Sequence, residues 1–328
     1  MKQTNTKEAY IAEISRRSGV SRSTIFRYFA EEPLRESSRN RIAQAIQSMD
    51  QEQELKAEAL PACTTEIIVS VNSTTFDQFQ GNSEALSGIL EEAAKCGVRI
   101  RLERDFHGDR AGMGVIILGK HDPEETEERT LLSETGVPFV VVNRMIDEGN
   151  ISYVASNVCL CASDMCRHLV AQGCRRVVFW GELETRVSQD KFKGYKLALQ
   201  QEGIPYSPEL VFPNTVSLED TIQTILTMKP RPDAFMAMDD ETAIKMIRLA
   251  TQAGLRIPQD IAISGMNDLG SSKNMIPSLT SVKIPFKKLG KLALKTLLKN
   301  MEDLDYLCTR VTVRHTLVVR DSTKKIKE

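Results

Sequence analysis

Residues 232–268 read PDAFMAMDDETAIKMIRLATQAGLRIPQDIAISGMND, and this stretch decides the architecture of the larger part of the chain. Asp233–Met238 is a short apolar run suited to a buried strand. Glu241–Ala253 has the spacing of an amphipathic helix, and Ile261–Ser264 is a second apolar run. Short buried strands alternating with helices are the pattern of a parallel sheet covered on both faces.

The same alternation extends upstream. A helix over 162–172 leads to the strand Arg176–Trp180, and a helix over 190–202 follows. Earlier still, the strand runs 67–71, 98–102, 114–118 and 138–142 are interleaved with helices over 86–96 and 124–134. Two α/β units in series imply a bilobed body with a cleft between the lobes. Ligands of such sheets sit beyond the carboxyl ends of the strands.

The first fifty residues have another character. Residues 11–29, IAEISRRSGVSRSTIFRYF, read as helix, tight turn, helix. Ile11 and Ile14 share a helical face, and Gly19 supplies the turn because it tolerates positive φ. Ser21 is placed to cap the next helix. Ile25 and Phe29 are expected to point back at the first helix, leaving Arg22, Ser23 and Arg27 outside. Arginines near the N-terminus of an exposed helix suit the reading of base edges. After Glu31-Glu32-Pro33-Leu34, a third helix is expected over Glu36–Asp50, with Ile42, Ala45, Ile46 and Met49 on one stripe. Ile14, Val20, Ile25, Phe29, Ile42 and Ile46 would close a small all-α core.

Charge agrees with that division. The 328-residue chain has a formal net charge of −1, yet residues 1–50 hold nine cations and six anions. A modest basic excess on a near-neutral whole fits a small DNA-binding head on a larger body. No apolar run has the length of a membrane span and no basic-then-apolar leader opens the chain, so a cytoplasmic location is expected. Seven cysteines then read as free thiols. Cys159, Cys161, Cys166 and Cys174 cluster in sequence, but their spacing forms no paired zinc pattern and only His168 lies near. They are expected to pack as small apolar groups. The four histidines are scattered, and no nucleophile elbow, P-loop or dinucleotide glycine motif is present. No enzyme, cofactor or metal is expected.

Several blocks together carry a family resemblance. They are SGVSRSTIFRYF (18–29), RNRIAQAI (39–46), HLVAQGCRRVVFWG (168–181), KFKGYKLALQQEGI (191–204), residues 232–268, and PSLTSVKIPFKKLGKLAL (277–294). The head alone also resembles the TetR family, whose bodies are all-helical. The strand runs of this body instead make the chain similar to the LacI/GalR family of bacterial transcriptional regulators over nearly its whole length. The resemblance implies an all-α helix-turn-helix head on a bilobed, periplasmic-binding-protein-like α/β body with two doubly wound parallel sheets. It also implies a homodimer on a double-stranded DNA operator, with a small-molecule effector, a sugar or sugar derivative, in the cleft.

Residue roles follow by position. Ser21 falls on the family's helix cap, Arg22 and Ser23 on the positions that chiefly choose base sequence, Thr24 on a phosphate-contacting hydroxyl, and Arg27 on a reading arginine beside it. Tyr28 joins the DNA-binding set. Ala57 and Leu60 hold the places of a hinge helix whose leucine wedges into the minor groove. Glu54 and Glu58 replace an asparagine and a basic residue there, and no proline precedes them. Residues 51–60 carry a net charge of −2, which opposes the minor-groove potential. In the cleft, Phe76, Lys191, Asp239 and Asn267 are the effector-binding candidates. Lys191 stands where the family has an arginine, Asp239 where it has asparagine, and Asn267 where it has aspartate. Asp240 is kept, and reads as a helix N-terminal charge rather than a ligand contact. The interval between Leu102 and Gly114 is too short for the helix the family has there, so the first lobe should be thinner on one face, with more exposed apolar surface.

The expected boundaries are a head over 1–50, a hinge over 51–62 and a body over 63–320. The first lobe would take 63–155 and 283–303, and the second 156–282 and 304–320. Residues 321–328 would form a disordered basic tail. The function expected is a sequence-specific DNA-binding repressor gated by its effector. The alternative is a degenerate regulator whose body binds no ligand and works through DNA or protein contacts alone.

Overall fold

The computed structural model describes residues 11–29, 34–58, 65–71, 80–104, 113–119, 122–302 and 308–324. The chain divides into two compact units, residues 1–64 and 65–328.

In the first unit, residues 11–18 (α1), Arg22–Phe29 (α2) and Glu36–Glu58 (α3) are helical. Gly19 turns the chain at φ 62°, and Arg41 on α3 donates to its carbonyl at 3.1 Å. Ile11, Ile14, Val20, Ile25, Ile42, Ala45 and Met49 are buried together, with Tyr28, Leu34 and Ile46 packed against them. Phe29 departs from expectation. It is 50% exposed, and Tyr28 packs on the core in its place. Residues 28 and 29, three and four positions after the buried Ile25, both flank its face, and it is the tyrosine that packs inward. The third helix also departs, since α3 continues past Asp50 to Glu58. Residues 50–58 (DQEQELKAE) contain neither glycine nor proline, and most are straight-chain helix formers. Ala57 therefore lies in the last turn of α3, whereas Leu60 lies outside the described residues.

The second unit contains two sheets. The first is built from Glu66–Val71 (β1), Arg99–Arg104 (β2), Gly114–Leu118 (β3), Phe139–Val142 (β4), Ser152–Ala155 (β5) and Arg310–Thr312 (β11), in the order β11-β5-β4-β3-β1-β2, all parallel. The second is built from Val177–Gly181 (β6), Val211–Pro213 (β7), Ala234–Ala237 (β8), Ala262–Met266 (β9), Thr280–Lys283 (β10) and Thr316–Val318 (β12). Its order is β12-β10-β9-β8-β6-β7, with only β12 antiparallel. The helices of this unit are Gln80–Cys96 (α4), Asp122–Thr135 (α5), Val158–Ala171 (α6), Arg186–Gln201 (α7), Leu218–Thr227 (α8), Asp240–Gln252 (α9) and Phe286–Glu302 (α10).

Two helix pairs are drawn together by glycine. A Cβ at Gly88 of α4 would overlap the backbone of Lys287 on α10, and one at Gly290 of α10 would overlap the backbone of Ala85 on α4. In the second lobe, a Cβ at Gly194 of α7 would overlap the Cys159 carbonyl of α6. The cysteines of α6 and its exit serve the same packing: Cys161, Cys166 and Cys174 are buried, and burial pushes the first two thiols up to about 12.

Three connections pass between the lobes, at 155–158, 283–286 and 312–316. Two of them are tied to each other, since Val313 N–H donates to Ala155 O and Ser156 Oγ donates to Val313 O, both at 2.8 Å. Residues 310–312 thus belong to the first sheet, not to the second lobe as expected, because β11 pairs with β5. The start of the expected tail is also folded. Ser322 and Thr323 are buried, with Ser322 Oγ donating to Ile263 O at 2.6 Å and accepting from Thr280 N at 2.9 Å. Thr323 Oγ1 meets His168 Nε2 at 2.8 Å. Small hydroxyl side chains can enter a core when every hydroxyl finds a partner, which a count of tail lysines does not reveal.

β2 immediately precedes the short 105–113 interval. On the face shared with Ile68, Arg101 pairs with Glu66 and, at 3.3 Å, with Glu103. At β2, this face carries ion pairs rather than apolar side chains. The exposed apolar residue of β2, Leu102 at 53%, is on the opposite face.

Gly194→Ala is expected to lower the unfolding free energy by about 1–3 kcal/mol, the usual cost of forcing volume into a packed interface. Urea unfolding followed by circular dichroism measures it. An unchanged midpoint would mean that α6 and α7 separate freely.

Candidate nucleic-acid interface and ligand cleft

At the start of α2 three hydroxyls converge. Ser21 Oγ accepts from Thr24 N at 3.3 Å and lies 2.9 Å from Ser23 Oγ and 2.8 Å from Thr24 Oγ1. Ser21 therefore caps the helix, and Ser23 and Thr24 sit over its positive end, where an anion is favoured. Arg22, Ser23 and Arg27 are exposed on α2, and Thr24 is half-buried. Tyr28 is different: it is half-buried against the head core. Preceding α2, Arg16 and Arg17 both reach Glu13, at 2.6 and 2.7 Å, and their hydrogen bonds hold its carboxyl at about 2. Part of the basic excess read from the composition is thus neutralised within the head. Together with Arg41 and Gln44 these arginines line a groove of about 590 Å³.

The second lobe holds a cleft of about 550 Å³. Its walls come from the carboxyl ends of β6, β8 and β9 and the segments that follow. Trp180 and Glu182 stand at β6, Lys191 on α7, Asp239 before α9, and Asn267 and Leu269 after β9. Gln80, at the start of α4, comes from the first lobe. Parallel strands end together at this edge, so turns remote in sequence meet there. Lys191, Asp239 and Asn267 are brought to one cleft, and Phe76 lies outside the described residues.

Each of the three is also tied to the scaffold. Lys191 Nζ donates to Met238 O at 3.0 Å, joining α7 to the end of β8. Burial pushes its pKa down, and neighbouring Asp239 draws it back up. Asp239 caps α9, accepting from Thr242 N at 2.7 Å and Thr242 Oγ1 at 3.0 Å. Asn267 has φ 104° and donates its backbone N–H to Val282 O at 2.8 Å.

Asp240 stands behind the wall. It is fully buried and accepts from Leu269 N at 2.7 Å, Ser272 Oγ at 2.6 Å and Ser281 Oγ at 2.6 Å. Burial raises its carboxyl to about 6, although these three donors pull it down. Asp268, at φ 56°, is gripped by Arg320 at 2.5 Å, with Lys283 at 3.7 Å. Ser272, Ser281 and Arg320 thus shape the cleft from behind. Sequence reading missed them because no motif marks a side chain that acts through a loop. Among the described residues, no group of three or more His, Cys, Asp or Glu is placed to hold a metal, and no helix is long and apolar enough to cross a membrane.

The chain thus combines a helical unit whose second helix exposes arginines and hydroxyls with a two-sheet unit that holds a polar cleft at its strand ends. Residues 166–323 match the periplasmic binding protein-like domain family. The ribose operon repressor of Haemophilus influenzae is 30% identical over 195 residues, which is 58% of this chain and 59% of that protein. The transcriptional repressor PurR of Vibrio vulnificus is 23% identical over 97% of this chain and 99% of its own length. Among solved structures, the complex of the transcriptional regulator CelR with cellobiose superimposes with a TM-score of 0.70 at 20% identity, covering 95% of this chain and 99% of that one. The Escherichia coli transcriptional repressor ascG gives 0.67 at 21% identity, over 79% and 99%. Over nearly its whole length the chain is thus similar to bacterial transcriptional repressors.

Since the Asp240 pKa is raised from 3.8 to about 6, the folded protein holds that proton more tightly than the unfolded chain. Its contribution is complete at low pH and is lost as pH rises from about 4 to about 6, a change of about 3 kcal/mol. Denaturant unfolding of wild type and Asp240→Asn across this window should give a stability difference that moves against the wild type as pH rises. A flat difference would show that Asp240 ionises as freely in the fold as in the unfolded chain.

Proposed function

We propose that this protein is a ligand-gated repressor that binds a pseudo-palindromic operator as a homodimer in the cytoplasm. The reading is carried by one conjunction: a capped helix with Arg22, Ser23 and Arg27 exposed, in the same chain as a polar cleft at the carboxyl ends of a parallel sheet. Arg22 and Arg27 read base edges, each contributing about 1–3 kcal/mol of discrimination where the contact is bidentate. Ser23 reads beside Arg22. Thr24, at the positive end of α2, takes a backbone phosphate. Ala57 and Leu60 form the hinge, and Glu52, Glu54 and Glu58 weaken its entry into the minor groove.

The effector is a carbohydrate. The cleft offers the Trp180 ring as an apolar wall amid Glu182, Lys191, Asp239 and Asn267, a mixture suited to a ligand with both ring faces and hydroxyls. The names of the relatives point the same way, one to a ribose operon and one to bound cellobiose. Lys191 in place of an arginine fork can offer a point charge but not a bidentate grip.

With full-length protein and an operator selected from random duplex, binding should fall steeply with salt, and Arg22→Ala should lose discrimination between operator and random DNA. Thr24→Ala should weaken binding to all sequences alike. No preference for any sequence at physiological salt would refute the regulator reading.

A thermal-shift panel of pentoses, hexoses and disaccharides tests the cleft. One sugar should raise Tm and change operator affinity, and Lys191→Met should abolish both effects while operator binding without sugar persists. A panel without any shift would favour a body that binds no carbohydrate.

A further inference from the structure

Phe26 stands on α2 with 52% of its surface in water. The head core does not need it: the buried cluster of Ile11, Ile14, Val20, Ile25, Ile42, Ala45 and Met49 closes without this ring. Helical spacing places Phe26 one turn beyond Arg22 and three residues beyond Ser23, so the three share the outward face of α2, and Arg27 adjoins them. A half-exposed aromatic ring is unfavourable in water and gains when a partner covers it. Arginines beside it require that partner to be negative at its rim and apolar at the point of contact. The major groove meets both conditions, with phosphates along its edges and the C5-methyl of thymine as its apolar feature.

Phe29 is 50% exposed on the same helix, but it differs in two respects. It lies at the C-terminal end of α2, about 10 Å along the axis from Arg22, whereas base contacts come from the N-terminal part of a recognition helix. Its ring also meets Tyr28 edge-on, with centroids 5.6 Å apart.

We propose that Phe26 is a specificity-determining residue whose ring packs on a thymine methyl in each half-site, beside the bases read by Arg22 and Ser23. This rests on the DNA-binding reading above. The operator then has a required thymine that no hydrogen bond specifies.

The test uses full-length protein and an operator obtained by selection, with each half-site thymine replaced in turn by deoxyuridine, which removes only the methyl. At one position the wild type should bind about fourfold more weakly, the value of one buried methyl(ene) group. Phe26→Ala should bind the thymine and uracil operators equally. Phe26→Leu should keep part of the difference, and Phe29→Ala should behave as wild type. A methyl effect of equal size in Phe26→Ala, or no sensitive thymine in the wild type, overturns the proposal while leaving the regulator reading intact. If no sequence can be selected at all, both fall. If the uracil scan is flat and Phe26→Ala instead loses capture of an acidic protein, the ring serves a protein contact and the proposal is wrong.

Discussion

The buried carboxylate of Asp240 orders the wall of the ligand cleft. It begins α9, yet its oxygens are taken by donors from two other places, the loop at Leu269 and Ser272 and the strand β10 at Ser281. A charge without those donors would be far too costly to bury. The loop must therefore come to Asp240, and in doing so it adopts positive φ at Asn267 and Asp268. Asn267 and Leu269 then face the cleft because Asp240 does not. Gly265 belongs to the same arrangement, since a Cβ there would overlap the carboxylate.

Close approach of backbones supplies the second constraint. Gly88 and Gly290 seat α4 on α10, and Gly194 seats α7 on α6, so in each lobe a helix pair is packed backbone to backbone. The lobes are joined by three connections, two of which are hydrogen-bonded to each other. Between the lobes, Arg186 of the second reaches Glu148 of the first at 3.5 Å and Asp147 at 3.9 Å. These exposed pairs are weak individually.

Much of this architecture was legible in the amino-acid sequence because its signals are local. Buried parallel strands announce themselves as short apolar runs, and the helix-turn-helix is marked by its glycine, its serine cap and its apolar spacing. What could not be read locally was decided by partners distant in the chain. Tyr28 and not Phe29 packs on the head core, although helical spacing puts both beside Ile25. The head helix runs on to Glu58 because acidity does not stop a helix. Ser322 and Thr323 look like tail residues until Thr280, Ile263 and His168 are brought beside them. In the cleft, position alone found Lys191, Asp239 and Asn267, but not that Lys191 holds Met238 or that Asp239 is a helix cap.

The placement of β11 and β12 bears on how the protein is made. Residues 310–312 finish the first sheet, and residues 316–318 with Ser322 and Thr323 finish the second. Neither sheet can be completed until residues 310–318 have left the ribosome, whereas among the described residues the buried ones of the head lie before residue 50. Domains form in order of synthesis. Translation that stops before residue 310 would leave a complete helical head on an unfinished two-sheet body.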